Sequence, residues 1–512
     1  MLRATKGEST SVSPSSSIDA DKMSLTDEKL VDSHLVAEVG SGSETDQEIY
    51  IDPKLERQYV RTFDFKLLPF LSLMYFFNSM DRSNLSNAYS NGFATNMHFK
   101  GQEYSLLLLL YYIPNAFCDP FWNILTKKFG ARWVLPSLML GWGGCSMIEA
   151  GCTNFGGMLV VRLLIGVFEA GFYAGVVFYL TLFYTRREIA FRISLFFGSA
   201  LISGAFTGLL AYGLFHIKND ALYGWQYLFI IEGAATVLIS LIAYFWLPST
   251  PSTCRWLTPE LKEVARLRQL KNSVKKVDSS FSWADCKARV KTWQWWVYAC
   301  ISFTYTLPWT TASLFLTQII GRFGFSTVKT NLWTVAPNCV GVCVLLAVSF
   351  SSDRARERSY HICFALTLSI IGLIILASVD SFKHKGVSYF ACFLLCSGAY
   401  IPSALVHSWH NNNNLNESSK AFDTGVFVGL GNLSPIIVTA TFRTTYAPKY
   451  NPTIIATCVS AGICWFLVMF LGTWQKKENK RRNEAQGMSI RADDIDTSKL
   501  SGYDDPNWRY YN

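Results

Sequence analysis

The sequence predicts an all-α membrane protein with about twelve transmembrane helices in two halves of six, with both termini in the cytoplasm. Half of the 512 residues are hydrophobic and only 16% are charged, whereas a soluble protein carries about 25% charged residues. The apolar residues form repeated runs of about 20, the length with which a helix crosses a bilayer. Short basic turns separate many of these runs, as expected of loops that set membrane orientation.

The apolar runs fall into two sets with the same plan. In the first half, spans are predicted near 65–88, 104–125, 133–152, 157–184, 190–214 and 227–247; in the second half, near 294–320, 328–351, 360–378, 387–406, 421–442 and 453–474. We therefore predict a first bundle at 61–247 and a second bundle at 294–475. A linker rich in lysine and arginine, at 248–293, separates them.

The basic clusters predict the orientation. They follow the second, fourth, sixth, eighth and last spans, as in Lys127-Lys128, Arg186-Arg187, the linker, Arg354 to Arg358 and Lys476-Lys477. Positive residues mark the cytoplasmic side of a membrane protein. All of these clusters lie on that side if both termini are cytoplasmic.

The segments outside the bundles have a different composition. Residues 1–60 are rich in serine and acidic residues and contain no apolar run of the kind that begins a signal peptide, so we expect a disordered cytoplasmic tail. Its serines and Lys22 and Lys29 offer sites for a kinase or a ubiquitin ligase, but solvated chain without such a role is the favoured interpretation. The linker has helical spacing at Pro259–Lys271, which suits the membrane surface. Residues 476–512 form a second cytoplasmic tail.

Several function classes are disfavoured. The positive charge follows the loops, as topology requires, and does not indicate nucleic-acid binding. The cysteines lie mostly inside apolar runs without metal-ligand spacing. No nucleophile motif or phosphate-binding loop appears. We therefore expect no cofactor, no metal and no enzymatic activity, and the apolar spans predict the lipid bilayer as a partner.

Two charges interrupt the fourth span, Arg162 and Glu169. A charge at the centre of a membrane helix costs about 2.5–3.5 kcal/mol on insertion scales, so its presence indicates a functional role. Seven residues bring the two side chains back to nearly the same helix face. Gly166 lies between them, and Gly171 and Gly175 follow, which predicts close approach of a neighbouring helix or a ligand. The alternative is a charge pair that only holds helices together.

A second charged pair, Asp81-Arg82, interrupts the first span. Adjacent residues point about 100° apart on a helix. We expect Arg82 to face a cavity and Asp81 to face a coupling network; snorkelling of Arg82 to the outer interface is the alternative. Other polar residues in the spans are open to two interpretations. For Asn432, selection of a substrate and a hydrogen bond between helices are equally consistent with the sequence.

Further acidic and histidine residues carry less specific expectations. Asp119 and Glu232 suit structural roles, with packing near a helix end as the favoured one for Glu232. Glu149 and His216 are expected to face an exterior vestibule. None of these was assigned a direct part in transport.

Longer strings connect the sequence to a known family. They are Asp81-Arg82-Ser83-Asn84, Lys127 to Arg132, Arg162…Gly166…Glu169-Ala170-Gly171, Tyr184 to Glu188, Gly224-Trp225-Gln226-Tyr227…Glu232-Gly233 and Asp504 to Tyr510. In this order they resemble the major facilitator superfamily, and within it the anion:cation symporter family and its fungal allantoate-permease branch, which includes nicotinate, pantothenate and biotin permeases. One departure is Ala174, where many relatives have proline.

The resemblance implies proton symport of a small organic anion by alternating access, with nicotinate or a similar vitamin-like carboxylate as the leading substrate. It assigns substrate binding to Arg82 and Arg162 and proton coupling to Asp81 and Glu169. Protonation of Glu169 would release Arg162 to accept the substrate carboxylate. The alternatives are a facilitator of allantoate, pantothenate, biotin or another acid, and a nutrient receptor that does not transport. The resemblance favours the plasma membrane, with the vacuole or another endomembrane as the alternative.

Overall fold

The computed structural model describes residues 51–90, 92–100, 103–215, 222–272, 281–324, 327–441, 450–492, 495, 500, 503 and 505–512. The regular secondary structure of these residues is α-helical, which confirms the predicted all-α class. The predicted tail from residue 1 to residue 50 lies outside the described residues, and so does His216. The end of that predicted tail is already helical, because α1 begins at Pro53.

Ten helices lie among the described residues before the linker. They are α1 Pro53–Lys66, α2 Leu68–Ser90, α3 Phe93–Asn96, α4 Glu103–Leu110, α5 Tyr112–Phe129, α6 Ala131–Glu149, α7 Phe155–Glu169, α8 Phe172–Leu180, α9 Ile189–Leu214 and α10 Gly224–Trp246. The linker contains α11 Pro259–Asn272 and α12 Trp283–Val290. Helix α11 agrees with the predicted helical spacing, and its apolar residues Leu261, Val264 and Ala265 are buried where α11 packs against α1.

The second half contains nine helices among the described residues. They are α13 Trp293–Leu314, α14 Leu316–Gly321, α15 Thr327–Ala355, α16 Ser359–Ser378, α17 Lys385–Ala399, α18 Ile401–Asn412, α19 Glu417–Gly431, α20 Ser434–Thr441 and α21 Asn451–Gln486. Helices occupy each of the segments in which a span was predicted. Seven of the helical stretches are long and apolar enough to cross a membrane, judged by length and composition. The count of twelve spans stays a prediction.

The helix of the fourth predicted span is interrupted at the end of the charged run. Helix α7 stops at Glu169, and α8 begins at Phe172 after Gly171, which has a φ of +73°. Glycine adopts this left-handed conformation without steric cost. A side chain on Gly171 would also meet the Cβ atom of Trp122, only 2.3 Å away. The glycine therefore interrupts the helix and also allows α5 to pack closely against it. Ala174 lies beyond the break, buried within α8.

The basic turns gather at one end of the bundle, which we call the basic end. There Arg268 of α11 forms ion pairs of 2.6 Å with both Glu56 and Glu188. Lys127 pairs with Glu417, which links the two halves. These contacts agree with the predicted clustering of the basic loops on one side, because they bring the loops into direct contact.

The end of the chain folds back onto the basic end. Helix α21 continues past the last predicted span to Gln486. Residues 505–512 then return along it, and Trp508 becomes fully buried. The guanidinium of Arg482 donates hydrogen bonds to the carbonyls of Asp505 (3.0 Å) and Trp508 (3.1 Å). Arg186 of the first half lies over the Trp508 ring, so this segment contacts both halves.

Candidate functional site

A buried ion pair joins α2 to α7. The Arg82 guanidinium lies 3.1 Å from the Glu169 carboxylate, and the Tyr111 hydroxyl donates a hydrogen bond to the same carboxylate oxygen. The Glu169 side chain is fully buried, whereas the Arg82 side chain is 28% exposed. Solvent or a solute can therefore reach Arg82, whereas Glu169 is shielded from both. Ionised partners of this kind are strongly attracted when water is partly excluded.

Arg162 does not pair with Glu169, contrary to the sequence-based expectation. Its Nε atom lies 2.6 Å from Glu149 at the end of α6, and Phe229 covers its guanidinium. The physical reason is distance along the helix, since seven residues separate the two charges by about 10 Å. Each finds a nearer partner on a neighbouring helix. Glu149 was expected to face an exterior vestibule, but only 1% of it is exposed.

Asp81 faces away from Arg82, into the contact of α2 with α6 and α10. It accepts hydrogen bonds from Thr236 (2.9 Å), Trp142 (3.1 Å) and Ser146 (3.4 Å). Arg82 reaches the partly exposed site instead. This geometry agrees with the expectation that Arg82 and Asp81 point to different surroundings. Their roles in transport stay predictions.

The glycines of the charged run allow the expected close approach. A side chain on Gly166 would place its Cβ atom 2.5 Å from the carbonyl oxygen of Tyr111. Since glycine has no Cβ atom, the backbone at Tyr111 can lie directly against α7. This contact brings the Tyr111 hydroxyl to Glu169.

A polar stripe on the second span extends the site toward the other half. Tyr111, Asn115 and Asp119 recur every fourth residue, which places them on one helix side. The Asn115 amide donates to the Tyr111 hydroxyl over 3.3 Å. Asp119 accepts a 2.8 Å hydrogen bond from the backbone N–H of Gly171. The sequence contains a signal for this connection, since the three polar residues recur with a four-residue spacing.

Asn432 joins this stripe from the second half. Its side-chain N–H group donates to Asn115 (2.6 Å) and to Asp119 (2.8 Å). Of the two interpretations left open for Asn432, the structure shows the hydrogen bond between helices. A continuous series of polar contacts therefore runs from Arg82 through Glu169 and Tyr111 to Asn432.

Glycines bring the two halves together beside the stripe. Cβ atoms on Gly425 and Gly429 of α19 would lie 2.8 Å from the Cα atom of Pro120 and 2.5 Å from the carbonyl oxygen of Ala116. Small residues four apart let membrane helices approach to backbone contact. Helices α5 and α19 therefore form a close seam between the halves.

The second half contributes a different set of buried groups. His407 and His410 lie on α18, with 3.2 Å between a ring nitrogen of each, and the Tyr305 hydroxyl lies 2.9 Å from the other nitrogen of His407. Tyr173 of the first half donates to the Ser403 carbonyl beside them. Sequence reasoning missed the histidine pair. Two histidines three residues apart in an apolar run were the available signal.

The chemistry of the site is that of charge and hydrogen bonding. Within the described part of the chain, no group of three or more histidine, cysteine, aspartate or glutamate residues is arranged to hold a metal ion. The central groups are a guanidinium, carboxyl groups, amides and a phenol. Groups of these types are able to bind an anion and to exchange a proton.

Comparison with known proteins identifies the fold and the class. The family model described as Major Facilitator Superfamily matches residues 71–439. The chain is 49% identical over 471 residues to the major facilitator-type transporter hxnP of Emericella nidulans, covering 90% of this chain and 94% of the relative. It is 45% identical to the MFS-type transporter efuF of Hormonema carpetanum, covering 92% and 95%.

A solved structure shows the same fold. The structure of the proton:xylose symporter XylE superposes with a TM-score of 0.62 at 14% identity, covering 80% of this chain and 96% of that one. At this identity the likeness concerns the fold alone. Together with the helical bundle and its apolar spans, the comparisons establish a multi-pass membrane protein that is a transporter and not an enzyme. The chain belongs to the Major Facilitator Superfamily.

Proposed function

We propose that the protein imports a small organic anion together with protons, with nicotinate or a similar vitamin-like carboxylate as the leading substrate and the plasma membrane as its location. The observation that carries this proposal is the pair formed by the partly exposed Arg82 and the buried Glu169. Arginine binds carboxylates through two parallel N–H groups. The resemblance to the fungal allantoate-permease branch supports the substrate class.

The pair suggests how proton and substrate binding are linked. While Glu169 is ionised, it holds Arg82 and competes with a substrate carboxylate. When Glu169 takes up a proton, the attraction weakens and Arg82 becomes free to bind the substrate. Proton and anion then favour the same occupied state. This scheme replaces the release of Arg162, because Arg162 pairs with Glu149. Opening of that second pair would allow Arg162 to serve as a further substrate ligand.

The contacts between halves suggest how binding becomes movement. Alternating access requires the halves to part on one side and close on the other. In this structure they meet through Asn432 and, near the basic end, through Ser194, whose hydroxyl donates to Ser349 over 2.6 Å. Asn115 contacts both Tyr111 and Asn432. A change in the charge of Glu169 is therefore transmitted to the seam through Tyr111 and Asn115.

Uptake measurements test the proposal. Radiolabelled nicotinate, pantothenate, biotin, allantoate and an aromatic acid are offered to yeast that lacks its own permeases, at acidic and at neutral pH. We expect one acid to accumulate more at acidic pH, and we expect Glu169→Gln to abolish that accumulation. Glu103→Gln is the control, since Glu103 lies outside the network and contacts the Lys100 backbone.

Other outcomes identify the alternatives. Uptake that depends on neither pH nor Glu169 would contradict coupling and indicate a facilitator. If no acid enters while the protein is present at the cell surface, the import proposal is wrong and a nutrient receptor becomes the better interpretation.

A further inference from the structure

A carboxyl group outside the network described above is buried without a cationic partner among the described residues. Glu232 lies in α10 and is only 1% exposed. Neither of its carboxylate oxygens has a hydrogen-bond partner within the described part of the chain. Arginine residues form ion pairs with other buried acids of the first half, such as Glu149 and Glu169, whereas no basic residue in the described part of the chain pairs with Glu232.

The surroundings of Glu232 connect it to Asp81. Asn84 lies beside it and interacts with its carboxyl group, although neither side chain forms a hydrogen bond of regular geometry in this structure. Asn84 is three residues from Asp81 on α2, and Thr236, which donates to Asp81, is four residues from Glu232 on α10. These spacings are single helical turns. Glu232 and Asp81 therefore face one contact between α2 and α10, within electrostatic range of each other.

Burial decides the protonation state of such a group. An ionised carboxylate loses its hydration inside the protein and needs a cation or several hydrogen-bond donors to compensate. Asp81 has three donors, whereas Asn84 is the single donor found near Glu232 among the described residues. A neutral carboxyl group needs no such compensation, so Glu232 is suited to hold a proton in this conformation.

We propose that Glu232 is a proton-carrying residue of the transporter, which loads a proton and passes it to Asp81. In the transfer, the O–H bond of Glu232 breaks and an O–H bond forms on an Asp81 carboxylate oxygen. Glu232 is left as the anion, and water on the side from which protons enter reprotonates it. The proposal rests on the proton symport proposed above and adds a residue to it.

The other charged groups around α10 fit this assignment. From α2 they are Asp81 and Arg82; from α6, Glu149; and from α7, Arg162 and Glu169. Glu149 is neutralised by Arg162, and Glu169 by Arg82. The charged residue of α9, Arg192, lies in its first turn and pairs with Asp64 over 2.7 Å. Among these groups Asp81 is the acid without a cationic partner, and it is therefore the natural acceptor.

The decisive measurement does not need the substrate. Infrared difference spectra of the purified full-length protein in lipid nanodiscs are recorded between acidic and neutral pH, for the wild type, Glu232→Gln and Glu232→Asp. We expect the wild type to show a carboxyl band that disappears as pH rises. The band should be missing in Glu232→Gln and shifted in Glu232→Asp. An unchanged band in both variants would overturn the proposal.

Transport separates a proton carrier from a structural residue. We expect Glu232→Gln to retain exchange of labelled for unlabelled nicotinate within about twofold, because exchange at equal concentrations needs no net proton movement. Its uphill uptake at acidic pH should fall about tenfold or more, with partial recovery in Glu232→Asp. Wild-type pH dependence of uptake in Glu232→Gln would contradict the proposal.

The spectra also keep the two proposals separable. If no carboxylate is transported by the wild type, the import proposal fails while the infrared band still reports on Glu232. If Glu232→Gln does not fold, Glu232→Asp supplies the test, since a titrating band that does not move in this variant belongs to another group.

Discussion

The two halves of the bundle bury different chemistry. In the first half, the buried groups near the middle of the spans include carboxyl groups and an arginine, and Arg82, Glu169 and Asp81 lie on helices that contact one another. In the second half, the corresponding groups are imidazoles, amides and hydroxyls, with His407 and Asn432 as examples. Buried charges of the second half lie near the basic end, where Arg289 is 3.6 Å from Asp423. From this difference we expect the first half to bind the anion and the proton, and the second half to supply hydrogen bonds at the seam.

The strongest effect is predicted for Arg82→Gln. Removing the cation leaves Glu169 buried and unpaired, which costs about 3–5 kcal/mol, and it removes the ligand of the substrate carboxylate. We expect uptake to fall by a factor of about one hundred or more, and the detergent-purified protein to unfold at a lower temperature. The double variant Arg82→Gln, Glu169→Gln should recover the unfolding temperature and not the uptake. Near-normal uptake in the single variant would place the substrate site elsewhere.

A methyl group in the seam should have the next largest effect. In Gly429→Ala, the new Cβ atom meets the Ala116 carbonyl oxygen at 2.5 Å, and overpacking of this kind costs about 1–3 kcal/mol. We expect the halves to close less readily and the uptake rate to fall about tenfold. Gly462→Ala is the matched control, because nothing lies within 4 Å of its Cβ position. Equal rates in the two variants would show that the seam does not have to close.

Asn432→Ala should weaken the contact between the halves while leaving the Arg82–Glu169 ion pair in place. The variant loses two hydrogen bonds, each contributing about 0.5–1.5 kcal/mol. We expect uptake to fall about fivefold at every pH, with an unchanged pH profile. A changed profile would mean that Asn432 takes part in proton coupling as well, and the contrast between the halves would weaken.

The histidine pair provides a direct test of the difference between the two halves. If the second half carries no transported proton, His407→Gln should reduce uptake only about threefold, through the lost contact with Tyr305. The pH profile should keep its wild-type shape. The measurement is initial uptake across a pH series, with Glu169→Gln beside it. A flattened profile for His407→Gln would show that both halves bind protons.

The smallest effect on transport is expected for Trp508→Ala at the basic end. Trp508 is fully buried, and truncating a buried tryptophan costs about 3–5 kcal/mol. We expect the segment 505–512 to detach and become sensitive to protease, while uptake stays within about twofold. A large loss of uptake would show that this segment, which contacts Arg186 of the first half, helps to close the basic end.

The sequence predicted the helical segments well, since these depend on local composition. It was wrong about which charges pair. The Arg162–Glu169 expectation came from periodicity along one helix, whereas the observed partners, Glu149 and Arg82, come from other helices. Periodicity describes which face a residue occupies and carries no information about what packs against that face.

The apolar runs, the basic loops and the glycines near Arg162 together determined the class of protein, because burial in lipid leaves the backbone few alternatives to the helix. Family membership then followed from residues 71–439. The joining of Glu169 to Asn432 through Tyr111 and Asn115, the burial of Trp508 and the isolation of Glu232 were decided by tertiary structure. Each depends on contacts between segments far apart in the chain, and such contacts exist only after the helices have packed.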